Sequence, residues 1–471
     1  MKLNKTAKIS ILCASVLVFS FGVTTAVRTI SFYKPKALDS VKISQIQTEI
    51  DALLDQKYPR RTEILKSLPY STKPAELDVW AENAICIDVE NGNIIYEKDA
   101  DKVIPPASMT KLFLMYVVFE EIRKGTVKLD DVIPLVPESW ASHMMPHSSL
   151  MFLGENQRVT LDELLMGLSI CSGNDASYAI AYHISGGMDA FIEKMNEEAR
   201  RLGLKNTHFV ESSGYSELNT TTPREMAVFC REYLFRFPES IKYHSALSFT
   251  YPKEHNLAPE DVGKPREQDF SNGFPDHITM PITQKNTNPL LGVLSGCDGL
   301  KTGYIDESGY NLALTCRRNG LRFLSVTMKG PGTTVSEGQK GRVHDGEEIM
   351  EWAYKTFDEY KNPLLLRPYV IPVFNAVYPR INLVPAYKPE SLLVPRIIAK
   401  NAEKASDEVK IELDVPETLN GKIEKGGEYG SIKYVLNGYV LETVPLVAER
   451  ELKKANFWLC AADFLAKILY K

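Results

Sequence analysis

The chain has 471 residues, 44% of them hydrophobic and 24% charged, enough for more than one domain and at least one large core. Its formal net charge of −5 argues against a nucleic-acid binder. It carries no Walker loop, no dinucleotide fingerprint and no internal repeat, which argues against nucleotide enzymes and solenoids.

Lys2, Lys5 and Lys8 lead into "ISILCASVLVFSFGVTTAV", residues 9–27, a basic stretch followed by an apolar one as in an export signal. The "TTA" ending at Ala26 offers a cleavage site, yet the apolar run is also long enough to span a bilayer uncut. Residues 1–27 are therefore expected to be a signal peptide or an N-terminal membrane anchor. Either reading exports the chain to the periplasm or the outer face of the cytoplasmic membrane. Residues 28–75 read as a stalk or linker. Val41, Ile43, Ile46, Ile50, Leu53 and Leu54 fall near one helical stripe within it.

From residue 76 the pattern changes. Two strand-like runs flank Asn91-Gly92, a hairpin signal. Residues 105–238 are mostly helical in pattern. Pro105 and Pro106 end the extended segment, and Leu112, Met115, Tyr116 and Phe119 follow at helical spacing. "TLDELLMGLSI" begins with Thr160 and Glu163 at capping-box spacing. "GMDAFIEKMNEEARRLGL" predicts a second amphipathic helix closed near Gly203. Residues 251–285 read as a long loop or small excursion. A three-strand meander is expected next: "GLKTGYI", a "DESG" turn, "YNLALTCRR", an Asn319-Gly320 turn and "LRFLSVTMKG". "GEEIMEWAYKTFDEY" predicts a closing helix. Strands from both ends around a helical insert make an α/β domain over residues 76–362, an antiparallel sheet packed with a helical cluster.

Residues 363–450 alternate in strand fashion with Gly and Asn-Gly turns, which predicts a small all-β domain. Residues 451–471 predict an amphipathic helix, with Phe457, Ala461, Phe464, Leu465 and Ile468 on one face. Asn456, Cys460, Asp463, Lys467 and Lys471 fall on the other. Such a helix at the end of an exported chain is expected to lie on a membrane surface, the alternative being a helix docked on its own protein. Cys13 lies in the export segment. The six other cysteines, Cys86, Cys171, Cys230, Cys297, Cys316 and Cys460, show no CxxC and read as single buried thiols. Cys297 and Cys316 are placed to be neighbours across a hairpin.

Chemistry enters at "PPASMTK". Ser108 and Lys111 stand three apart at a helix start, so the amine can reach the hydroxyl. Serine needs an adjacent base to act as a nucleophile, and a lysine can be that base if burial or a second cation lowers its pKa. S-x-x-K alone is common. Ser172-Gly173-Asn174 follows 64 residues later, and Lys301-Thr302-Gly303 a further 129 residues on. Each alone reads as a turn or a solvated strand residue. S-x-x-K, a middle S-x-N and K-T-G in order are the motif set of penicillin-binding proteins and class A β-lactamases.

The chain resembles the low-molecular-weight penicillin-binding proteins of the serine D-alanyl-D-alanine carboxypeptidase family. The likeness covers roughly residues 76–471 and includes "SGNDASYAIAYHISG", "GCDGLKTGYIDESGYNLALTCRRNGLRFLSV", "GRVHDGEEIMEW" and "KIEKGGEYGSIKYVLNGYVLETVPLVA". The resemblance implies a β-lactamase/transpeptidase-like fold. It also implies that Ser108 is acylated, Lys111 takes its proton, Ser172 passes a proton to the leaving amine and Asn174 holds a substrate amide. Lys301, Thr302 and Arg342 would bind the terminal carboxylate, with Gly303 keeping the strand edge open. The N–H groups of Ser108 and Tyr304 would form an oxyanion hole. The implied partners are a peptidoglycan stem peptide ending in D-Ala-D-Ala, β-lactams as covalent inhibitors, and a membrane surface. No cofactor and no nucleic acid are implied. Repulsion from Lys301 is expected to lower the pKa of Lys111.

Ile305 stands where the family often has a threonine. A β-lactamase is the first alternative. The context of its deacylating glutamate reads "YSELN" here, with Tyr215 at the glutamate's place. An endopeptidase of peptide cross-links and a non-catalytic wall-binding protein are the others. "HMMPH" spaces His143 and His147 four apart, but Pro146 interrupts the turn and no Glu accompanies them, so no metal site is expected.

Overall fold

The chain opens on a 29-residue helix, α1 (Lys5–Tyr33). The computed structural model describes residues 5–33, 65–263, 273–361, 368–387, 391–396 and 409–469. Contacts divide the chain into two units, one of Arg60–Glu359 with Pro395–Ile397, the other of Met1–Pro59, Tyr360–Val394 and Ile398–Lys471. The helical stripe expected at residues 41–54 lies outside the described residues.

The first unit is built on a six-stranded sheet. Its strands are β1 (Lys66–Ser67), β2 (Asn83–Asp88) and β3 (Asn93–Lys98), then β8 (Cys297–Ile305), β9 (Gly309–Arg318) and β10 (Leu321–Gly330), in the order β1-β3-β2-β10-β9-β8. Two ribbons lie in the insert: β4 (Val132–Ile133) with β5 (Val159–Thr160), and β6 (Ser248–Tyr251) with β7 (Ile282–Lys285). The sheet is antiparallel except for β1, which runs parallel to β3. Residues 66 and 67 thus belong to this sheet and not to the linker expected over 28–75. Residues 28–33 likewise continue α1.

The insert also carries α2 (Thr110–Lys124), α3 (Leu161–Met166), α4 (Asn174–Ser185), α5 (Met188–Arg201), α6 (Pro223–Arg236) and α7 (Ile241–His244). Every residue of α2 from Thr110 to Glu121 is buried. A helix apolar on nearly all sides belongs in a core. Phe113 stacks on Phe229 of α6 with ring centroids 3.5 Å apart, and Phe119 stacks on Phe237 at 5.3 Å. Each such side chain contributes about 1.5–3 kcal/mol by leaving water. Packing of this kind fixes the start of α2, where Ser108 and Lys111 sit.

Local signals account for much of the outline. Thr160 and Glu163 form the expected capping box on α3. Asn319 and Gly320, both at positive φ, close the two-residue turn from β9 to β10. The β2–β3 link is longer than a two-residue turn. Strand β2 stops at Asp88, whose carboxylate accepts from the Glu90 and Asn91 N–H groups, so four residues make the turn. The closing helix α8 (Val335–Thr356) starts earlier than expected, at a Thr334–Glu337 capping box. It also ends earlier, since Phe357–Lys361 is a strand. Cys297 and Cys316 are register partners in β8 and β9, and both are free thiols.

In the second unit a six-stranded sheet has the order Val409–Asp414, Glu428–Leu436, Tyr439–Ala448, Arg380–Pro385, Tyr369–Phe374, Leu419–Asn420. This is the all-β character expected after residue 363. The terminal helix is α9 (Phe457–Leu469). Its apolar face is exposed, with Phe457 at 78% and Phe464 at 66%. Asp463, expected on a solvated polar face, is 1% exposed between Ala462 and Ala466 on the docked side. Among the described residues no helix is long and apolar enough to cross a membrane.

Candidate active site

Ser108 lies in a single 3-10 turn, Ala107–Met109, that runs directly into α2. Two glycines let neighbouring segments close on this turn. A Cβ on Gly303 of β8 would stand 2.6 Å from the Pro106 carbonyl and 3.2 Å from Ser108 N. A Cβ on Gly214 would collide with the Ala107 carbonyl, and Gly214 also has φ +81°. Gly303 was expected to keep a strand edge clear for a ligand; what first occupies that space is the backbone of the Pro106–Ser108 turn.

Lys111 is fully buried one turn on. Its Nζ lies 3.0 Å from Ser108 Oγ, 2.7 Å from Asn174 Oδ1 and 2.5 Å from the Ser213 carbonyl. Three acceptors match the three N–H bonds of an ammonium. None of the three is charged. Burial pulls the pKa of Lys111 down from 10.5 to about 7, against the opposing pull of Glu211 and Asp175. Of the two causes expected, burial or a second cation, burial is the larger at Lys111. The repulsion is felt at Lys301, which burial, Lys111 and Arg342 hold well below its ordinary range.

The second motif is set by a π-turn, Gly167–Cys171, after α3. It leaves Ser172 in the left-handed region at φ +58°. Ser172 Oγ is buried and has no hydrogen-bond partner among the described residues. Asn174 opens α4. Its Oδ1 accepts from Lys111, and its Nδ2 donates to Ser148 Oγ at 3.1 Å. Asp175 is buried and accepts from the N–H groups of Met151, Phe152 and Leu153, tying the 151–153 segment to the motif. Gly173 is required here, since a Cβ would lie 2.6 Å from Asp175 Oδ1.

The third motif lies on edge strand β8. Lys301 and Thr302 are both buried, and Thr302 Oγ1 donates to Thr287 Oγ1 at 2.8 Å. His244, buried nearby, is held at about 3 by desolvation and by Lys301, so its imidazole is neutral. Arg342 of α8 is 6% exposed. Its Nη2 donates to the Gly303 carbonyl at 2.6 Å and its Nε to the Asn311 carbonyl at 3.1 Å. These two donors clamp β8 to β9 at the Gly303–Asn311 register pair. Tyr304 is exposed, donates to Asp306 and packs on Tyr310.

A cleft of about 360 Å³ opens over Ser108 and Asn174, while Lys111, Ser172, Lys301, Thr302 and Arg342 lie behind its wall. Ser108, Ser148, Asn174, Tyr215, Tyr304 and Ile305 line it, with His147 also at its wall. The structure thus brings Ser108, Lys111 and Asn174 into direct contact and sets the strand of Lys301–Tyr304 against the same turn. Among the described residues no group of three or more His, Cys, Asp or Glu could hold a metal.

Glu211 was missed from sequence. Its carboxylate accepts from Ser213 N at 2.7 Å, Gly214 N at 2.6 Å and Asn219 Nδ2 at 2.8 Å. It thereby shapes the loop that delivers the Ser213 carbonyl to Lys111. The "ESSG" stretch, a carboxylate just before small turn residues, was the available signal.

A model of the D-alanyl-D-alanine carboxypeptidase family matches residues 70–332. The chain belongs to this family. A second model, the C-terminal domain of penicillin-binding protein 5, matches residues 384–454. The D-alanyl-D-alanine carboxypeptidase DacF of Bacillus subtilis is 28% identical over 82% of this chain and 89% of its own. DacA of Escherichia coli, also a D-alanyl-D-alanine carboxypeptidase, is 29% identical over 83% and 88%. Penicillin-binding protein 5 of Haemophilus influenzae superimposes with a TM-score of 0.66 at 26% identity, covering 82% of this chain and all of that one. The family, the fold and the serine-type carboxypeptidase class agree with the resemblance drawn from the motifs.

Proposed function

We propose that Ser108 carries out D-alanyl-D-alanine carboxypeptidase chemistry on peptidoglycan stem peptides. The observation that supports this most is Lys111, buried among neutral acceptors at hydrogen-bond distance from Ser108 Oγ. In its neutral form the amine accepts the Ser108 proton as Oγ bonds to the carbonyl carbon of the penultimate D-alanine. The N–H groups of Ser108 and Tyr304 meet the oxyanion, a role supported by the close approach of β8 to Ser108 N at Gly303. The proton passes through Ser172, whose hydroxyl has no competing partner among the described residues, to the leaving amine as the C–N bond breaks. D-Alanine departs. Water then attacks the ester, gives its proton to Lys111, and the proton returns to Ser108 Oγ as the shortened peptide leaves.

Asn174 works in two directions: Oδ1 holds Lys111 and the amide nitrogen faces the side of Ser148, where a substrate amide is held. Lys301 and Thr302 receive the terminal carboxylate. Arg342 adds positive charge behind them and positions β8 through Gly303 and Asn311. β-Lactams acylate the same serine. Tyr215 stands where a class A β-lactamase has its glutamate, and the carboxylates that line this cleft are Glu217, Asp306 and Glu307. A long-lived penicilloyl ester is the expected outcome, and rapid turnover of penicillin would overturn it.

The chain is exported, and α9 associates with a membrane surface through its exposed Phe457, Trp458, Phe464 and Ile468. Ser108→Ala abolishes both D-alanine release and covalent labelling by penicillin; retained labelling removes Ser108 from its role. Mass spectrometry of treated peptidoglycan fragments shows loss of one D-alanine per stem. Cleaved cross-links with intact D-Ala-D-Ala ends would favour an endopeptidase instead.

A further inference from the structure

The buried contact between the two ends of the chain concerns the fate of α1. Arg28 of α1 is 4% exposed and Asp463 of α9 is 1% exposed. The Arg28 guanidinium meets the Asp463 carboxylate with both Nε and Nη2, the latter at 2.7 Å. Nη2 also donates to the Ala376 carbonyl at 2.9 Å, and the Asn375 N–H donates to Asp463 Oδ2 at 2.7 Å. The pair is therefore built into the β unit. Nearer the start of both helices, Phe21 packs edge-on against Trp458.

Two features bear on cleavage after Ala26. The helix runs unbroken from Lys5 to Tyr33 through that site. The hydroxyls of Thr24, Thr25 and Thr29 each return a hydrogen bond to the carbonyl four residues earlier, and Thr25 is buried. A peptidase needs an extended segment there, whereas this one is helical and docked. One feature bears on lipid. Val16, Leu17, Val18 and Phe19 are 57–74% exposed. Successive residues step about 100° round a helix, so these four cover its whole circumference. A turn of helix that is apolar and uncovered on every side suits a lipid phase, which can surround it, and not a protein groove, which covers one face. The exposed face of α9 adds Phe457, Trp458 and Phe464 to the same unit.

We propose that α1 stays in the mature protein and, latched to α9 by Arg28 and Asp463, forms with it a two-helix element seated in the lipid of the cell membrane. The lipid half rests on the membrane association proposed for α9; retention of α1 does not.

Three readouts separate the parts. The first is the intact mass of the protein captured from bacterial membranes on immobilised penicillin. It includes residues 1–26; a mass short of them overturns retention. The second is trypsin digestion, with fragments identified by mass. The Arg28–Thr29 bond is protected in the wild type and is cut roughly a hundredfold faster in Asp463→Asn, as loss of one partner from a buried pair implies. Cutting at the rate of an unfolded peptide in the wild type, or no change in the variant, overturns the latch. The third is flotation with vesicles of phosphatidylglycerol and phosphatidylethanolamine. The full chain floats, and Leu17→Ser with Phe19→Ser reduces the floated fraction several-fold. No flotation of the wild type overturns the membrane reading while leaving the mass result to judge retention. Undiminished flotation of the variant overturns the part given to α1.

Discussion

Lys111 and Arg28 are both buried cations, and their surroundings treat the charge in opposite ways. Lys111 faces a hydroxyl, an amide oxygen and a backbone carbonyl, with Glu211 and Asp175 acting only at a distance. Arg28 faces the Asp463 carboxylate directly. Neutral acceptors only partly replace water, so the buried amine readily gives up its proton. At Arg28 a contacting carboxylate replaces the lost hydration. The residue types follow. A lysine can be discharged by burial, while an arginine does not deprotonate in proteins. One burial makes a base and the other makes a fastening.

Exchanging the residue types breaks that distinction most severely at the cleft. Lys111→Arg places a permanent charge among neutral acceptors and removes the base. Acylation by a fluorescent penicillin should fall roughly 10²–10⁴-fold, the usual range for losing a general base. A rate near that of the wild type would show that Lys111 is not the proton acceptor.

A pH profile sharpens the same point with a smaller effect. Only neutral Lys111 can take the Ser108 proton, and its pKa lies at about 7. Acylation should be near its plateau above that value. Below it the rate should fall about tenfold for each pH unit, as the neutral fraction does. A rate flat down to pH 5 would mean that the amine is neutral throughout or is not the base.

What the sequence made legible follows the range of the interactions involved. Thr160 with Glu163, and Asn319 with Gly320, are local chemistry and appear where expected. The three motifs were legible only as a set, because each is common alone and the ordered combination is not. Two kinds of feature were hidden. Gly214 and Gly303 matter through what lies against them, and the approach of Ala107 and Pro106 is set only by tertiary packing. Asp463 looked like one residue of a polar helix face, because its partner stands 435 positions away. Which of burial and a second cation would dominate the Lys111 shift was hidden for a related reason. Like charges can be counted in a sequence, whereas burial depends on the packing of α2 and its neighbours.

Glu211 allows the finest test, because it touches Lys111 only through space and through the Ser213 carbonyl. Its charge holds the Lys111 pKa higher than burial alone would leave it. Glu211→Gln removes the charge and keeps an oxygen able to accept from Ser213 N or Gly214 N. The Lys111 pKa should then drop, and the acid limb of the acylation profile should move to lower pH by a fraction of a unit. Loosening of the loop should lower the plateau as well, by roughly tenfold, since one charge-assisted hydrogen bond is replaced by a neutral one. The two effects are read separately, as the position and the height of the curve. A limb displaced to higher pH would mean that Glu211 shapes the loop without acting on the charge of Lys111.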